Sequence, residues 1–187
     1  MKASTLSALG ILVLTLLTGA ACSELSGTPA RMSEFVALHK TLLKTYQNGT
    51  SVQKDNISDE RKKALADYLA KGADFTDWPV VVQDVRIEGD SHVGKLVVDK
   101  PAAVLTVTFD GITLENSFAK ILMDTPANII AKDSPLHATV TGLQKGQKIK
   151  VSGSFVPKDG LPRELSLTTS GALETPEYVV IFTAVKP

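Results

Sequence analysis

One cysteine, Cys22, in 187 residues excludes an internal disulfide framework and any thiolate-rich metal site. Aromatic residues are scarce at 5 %, which argues against a surface built to stack bases. Neither sign of charge dominates. The 20 Lys and Arg meet 20 Asp and Glu, so no global field draws the chain to nucleic acid or to an acidic membrane face. No apolar run approaches the roughly 20 residues that a membrane-spanning helix takes. There is no G-x-S-x-G elbow and no H-E-x-x-H pair, and His39, His92 and His137 lie far apart. Internal repeats and low-complexity segments are also missing. What remains is a hydrophobic share of 43 %, enough for one folded domain plus a leader.

The leader explains the cysteine. Lys2 is the only charge before Glu24, residues 9–17 form a short apolar core, and Gly19, Ala20 and Ala21 are small. That order describes a secretory signal. Cys22 directly after the small residues resembles the bacterial lipobox, in which the thiol is acylated and the chain is cut ahead of it. Gly19 stands three residues before the cysteine, where that box usually carries Leu. The competing reading is a plain secreted protein with a stray thiol near its cleavage site. Each buried CH₂ of an acyl chain adds roughly 0.8 kcal/mol, so several chains would anchor the protein permanently. Ser23, rather than Asp, follows the cysteine. By resemblance to bacterial sorting rules, that implies the outer membrane, with the domain in the periplasm. Cleavage before Cys22 removes Lys2 and leaves a mature chain that is nearly neutral.

The rest of the chain divides into three parts. Residues 22–30 read as a small, polar tether, in which Thr28 can cap a helix with Pro29 at its first position. Residues 31–73 read as a helical hairpin. Met32, Phe35, Val36, Leu42, Leu43 and Tyr46 recur at helical steps, with His39 on the same face. A ligand role for His39 lacks a second ligand one turn away, so a packed histidine is the simpler reading. Residues 48–56 read as a loop, Ser58 as the cap of a second helix with Ala64, Leu65, Tyr68 and Leu69 on its apolar side, and Gly72 as its end. The hairpin either packs on the following domain or serves as an arm, and its wide apolar stripes favour packing.

From Trp78 the pattern turns to β. Val80 and Val82, then Val85 and Ile87, alternate with a phase shift at Gln83-Asp84 that predicts a bulge. Asp110-Gly111 is a hairpin dipeptide between strands at 104–109 and 112–114, and residues 89–94 read as another turn. Residues 117–132 are apolar but irregular, and Ser134-Pro135 can start a short helix. Lys145-Gly146-Gln147 and Lys158-Asp159-Gly160 are turns. Between them Ile149, Val151 and Phe155 alternate with Lys148, Lys150, Ser152 and Ser154, as in a strand with one buried face. Gly153 falls on the apolar phase, where a barrel needs a bend or a close backbone approach. Leu165 and Leu167 continue the alternation, and residues 178–185 form a last strand.

Residues 143–155, L-Q-K-G-Q-K-I-K-V-S-G-S-F, resemble the fourth strand of bacterial OB-fold domains of the tRNA-anticodon-binding-like type. Leu143, Lys145, Gly146, Gln147, Ile149, Val151 and Gly153 carry the likeness. Residues 152–157, 164–171 and 176–178 extend it toward a C-terminal module common in bacterial proteins. The resemblance implies a fold and no catalytic motif. OB-folds bind oligonucleotides, oligosaccharides or proteins, so fold alone does not name a function.

The expectation is an α+β protein, a helical hairpin ahead of a five- to six-stranded OB-like barrel over residues 75–187. It is expected to be a non-catalytic, lipid-anchored envelope module that contacts another envelope protein or a surface polymer, with no cofactor and no nucleic acid. The alternative is a small-ligand or oligosaccharide binder at the barrel mouth near Trp78. The candidate binding face is Lys148, Lys150, Arg163 and Trp78. Lys145, Lys148 and Lys150 also fit a merely solvated strand face, and Trp78 a core plug.

Overall fold

The computed structural model describes residues 28–88, 92–93, 96–97, 102–116, 130–166 and 168–187. The expected signal, Cys22 and most of the tether lie outside these residues. So do most of the turn at 89–94, Leu167 and nearly all of the irregular stretch 117–132.

Helix α1 covers Ala30–Asn48 and buries Met32, Phe35, Val36, His39 and Leu42, the stripe that its periodicity predicts. Pro29 rather than Thr28 stands at its N-cap, so the helix starts one residue later than expected, and Pro29 contributes no side-chain cap. Helix α2 covers Ser51–Ala70 and begins well before Ser58. The reason is a capping box. Thr50 accepts from the Gln53 N–H while the Gln53 side chain accepts from the Thr50 N–H, so two orphan donors of the first turn are satisfied. The expected loop at 48–56 therefore shrinks to Gly49 and Thr50. The buried face of α2 is also rotated from the predicted one. It runs Ile57, Arg61, Leu65 and Tyr68.

Strands β1 (Asp74–Glu88), β2 (His92–Val93), β3 (Leu96–Val97), β4 (Ala102–Phe109), β5 (Ile112–Glu115) and β6 (Ile130–Ala131) come next. Helix α3 (Pro135–Thr141), strands β7 (Lys148–Phe155), β8 (Pro157–Lys158) and β9 (Leu161–Pro162), helix α4 (Thr169–Glu174) and strand β10 (Glu177–Lys186) complete the chain. The main sheet runs β1-β7-β10-β5-β4-β6, and a further β1–β4 pairing closes it. The result is an OB-like five-stranded barrel with β6 added at one edge of β4. All its pairings are antiparallel except β10 with β5, which is parallel.

Closure depends on β1 serving two neighbours. Its first half pairs with β7 from Asp74 to Val81 and its second half with β4 from Val81 to Glu88. The bulge between Val82 and Asp84 lies where the sequence phase slips. A second bulge, between Phe75 and Trp78, has Asp77 at φ 52° and was not visible in the pattern. The Asp110-Gly111 and Asp159-Gly160 turns both take positive φ at both residues, the twist that tight hairpins need.

The hairpin packs on the barrel. Phe35 is fully buried, and its ring lies 5.0 Å from Phe155, 5.3 Å from Tyr178, 4.8 Å from Tyr68 and 6.0 Å from Trp78. These rings close the end of the barrel where the β1–β7 pairing starts. At the other end of that pairing, Val82 exchanges backbone hydrogen bonds with Gly146 and Gln147. There α3 inserts Val140, and Leu143 follows it into the core. Residues 164–174 depart from the predicted alternation. Glu164 makes one bridge to Tyr178, and α4 follows because Thr168 caps it through the Gly171 N–H. Leu173 then packs with Leu42 and Ile57 in a small core between hairpin and barrel. Among the described residues no helix is long and apolar enough to cross a membrane.

Candidate functional site

Arg61 sits in the middle of the buried face of α2, one turn from both Ile57 and Leu65. An arginine there must be paired, because an unpartnered buried charge is strongly destabilising. Its guanidinium grips Glu164 with both arms. Nη1 donates to Oε2 at 2.8 Å, and Nη2 contacts Oε1. Nη2 also donates to the Tyr178 hydroxyl at 3.0 Å. Arginine accepts nothing, so the Tyr178 O–H is free to donate to His39 Nε2, 3.1 Å away. The chain of bonds runs Glu164, Arg61, Tyr178, His39, and joins α2 and α1 to the barrel.

Charge along this chain is settled by burial. The His39 pKa is lowered to about 3, first by burial and then by the Arg61 guanidinium. The ring is therefore neutral, with its proton on Nδ1 if Nε2 accepts from Tyr178. Burial raises the Tyr178 hydroxyl well above the usual phenol range, against the pull of Arg61. Tyr68, on the same aromatic cluster, is pushed up to about 12 by burial, while Arg31 lies 4.4 Å from its ring centroid and opposes the shift. His39 is thus a packed histidine and not an accessible base.

Beside this network a cleft of about 210 Å³ opens between α2 and the β9–α4 segment. Arg61, Lys62 and Glu164 give it charge. Four hydroxyl residues, Ser58, Ser166, Thr168 and Thr169, line it as well. Its apolar side is Leu65, Leu161, Pro162 and Ala172. The charges largely cancel. Arg61 is taken by Glu164, and Lys62 pairs with Asp59 at 3.2 Å.

The candidate face of the sequence does not assemble as one surface. Lys148 and Lys150 are exposed on β7 and line an open groove of about 450 Å³ with Pro79, Lys186 and Pro187. Lys186 joins them through the register and holds Asp77 at 2.8 Å. That hydrogen bond is the first cause of an Asp77 carboxyl below its usual range. Arg163 belongs elsewhere. Its N–H bonds Val156 and its C=O accepts from Val179, six strand residues or about 20 Å beyond Lys150. Trp78 faces the interior with no exposure and contacts Phe35, Phe75, Phe109 and Phe155. A tryptophan so enclosed cannot stack a ligand, and its place is that of a core plug.

A second charged cluster lies on the β1–β4–β5 wall. Arg86 Nη2 donates to Glu115 at 2.9 Å and the Thr106 hydroxyl donates to the same carboxylate at 2.9 Å. Among the described residues no three or more His, Cys, Asp or Glu gather in a way that could hold a metal ion.

No family model, curated protein or solved structure matches the chain. Sequence reasoning did not bring Arg61 and Glu164 together. The signal for Arg61 was present: it is the one charge in the i, i+4, i+8 stripe Ile57, Arg61, Leu65. Glu164 follows 103 residues later, a separation that no local pattern spans.

Proposed function

We propose that the chain is a non-catalytic module of the bacterial cell envelope, held by lipid on Cys22, that contacts another envelope protein or a surface polymer through its outer surface. The observation that carries this reading is the closed barrel. Phe35, Trp78, Phe155 and Tyr178 fill the end where a ligand would enter, which leaves the outer faces for contact. The paired state of Arg61 and Glu164 supports the non-catalytic part, since neither side chain is held ready for proton transfer. The barrel topology and residues 143–155, which lead into β7 and form it, support kinship with the OB-fold domains of the tRNA-anticodon-binding-like type. The exposed face with the clearest means of contact is Lys148 and Lys150 beside Lys186. The mouth-binding alternative is weakened by the burial of Trp78.

Two measurements test the reading. Cys22→Ala should move the protein from the membrane to the soluble fraction, and an unchanged membrane share with no acyl mass on Cys22 would reject the anchor. In-cell crosslinking of the acylated protein should capture one dominant envelope protein or polymer. Lys148→Glu with Lys150→Glu should lose that capture, and undiminished capture would exclude the lysine face.

A further inference from the structure

We propose that the cleft between α2 and the β9–α4 segment binds one neutral, polyhydroxylated ring, a sugar unit of the polymer that the module contacts. The inference rests on the binding-module reading above and names the chemistry of one site. Size comes first. A volume of about 210 Å³ equals about seven waters at roughly 30 Å³ each, the space of one hydroxylated six-membered ring. The cleft opens to solvent, so the remainder of a polymer can continue outward.

Charge argues for a neutral ligand. Arg61 is matched by Glu164, and Lys62 is matched by Asp59, so no uncompensated cation is left to hold a phosphate or carboxylate. The polar lining suits hydroxyls, because serine and threonine both donate and accept. Thr168 Oγ1 accepts from the Gly171 N–H at 3.1 Å and lies 3.3 Å from Ser170 Oγ, so its proton is free for a ligand when Ser170 is the donor of that pair. Leu161 and Pro162 supply the apolar bed that the C–H face of a sugar ring needs.

The test is saturation-transfer NMR on the full chain, with glucose and N-acetylglucosamine as probes and inorganic phosphate as the anionic comparison. Transfer to at least one sugar is expected, with phosphate unable to displace it. Two variants fill the cleft from different sides, Ser58→Phe and the exposed Thr169→Tyr, each checked by its melting curve. Loss of transfer by tenfold or more in a folded variant supports the site. No transfer to either sugar overturns the inference, as does displacement by phosphate or retention in both folded filled variants. An envelope protein captured through the lysine face without sugar transfer would overturn this site and leave the module reading standing. Absence of both would reject both.

Discussion

At position 153 an added Cβ would lie 2.1 Å from the Ile181 carbonyl oxygen and 2.9 Å from Phe75 Cζ. The register explains the crowding, since Gly153 faces Phe75 on one neighbour strand and Phe182 on the other. Both side chains turn into the core, and the strand between them has room only for a hydrogen. Gly153→Ala is therefore expected to destabilise the protein by about 1–3 kcal/mol through overpacking, read as a lower urea midpoint. An unchanged midpoint would mean that the barrel wall yields more easily than its register implies. The need for a glycine here was legible in sequence, because Gly153 interrupts the apolar phase of an otherwise regular strand. Which atoms it must avoid was not, since Ile181 and Phe75 come from distant strands.

Helix α2 shows how one element answers to two kinds of signal. Its start is local. Thr50 and Gln53 form the capping box, and Thr50→Ala should cost about 1 kcal/mol, measurable as a small drop in thermal midpoint. A loss of helix content without that drop would assign the cap to local fraying. Its buried face is not local. Arg61 enters the apolar stripe only because Glu164 and Tyr178 lie opposite it on the barrel. Arg61→Met alone leaves the Glu164 carboxylate facing an apolar side chain and should destabilise by about 3 kcal/mol. Adding Glu164→Leu should restore most of that loss, so a double-mutant cycle in urea reads the pair directly. Strictly additive losses would show that the two side chains do not act together. This ion pair, with Phe35 beneath it, fastens the hairpin to the barrel.

The whole molecule carries a signature of His39. In the unfolded chain a histidine titrates near 6.5, whereas the folded environment lowers His39 to about 3. Below pH 6.5 the unfolded chain takes up a proton that the folded protein refuses. The stability tied to neutral His39 is thus full above about pH 6.5 and falls as pH drops toward 3. The slope is about 1.4 kcal/mol per pH unit, so roughly 2 kcal/mol is gone by pH 5. His39→Gln can still accept from Tyr178 but binds no proton. Its urea midpoint should fall less between pH 7 and pH 5 than that of the native chain, and equal falls in the two proteins would refute the assignment.

Sequence alone determined what depends on neighbours along the chain. Alternation in β7, the slip at Gln83-Asp84, the positive-φ hairpins at 110–111 and 159–160, and the stripe of α1 are local preferences of backbone and burial, so a single chain displays them. Tertiary structure decided what depends on residues far apart. Burial of Trp78 under Phe35 closed the barrel end, while Lys150 and Arg163 separated along the strands. Arg61 met Glu164 across 103 positions, and the cleft formed beside them. Such pairings are set by how the hairpin lies on the barrel, where the gain comes from excluding water between surfaces that no short window of sequence contains.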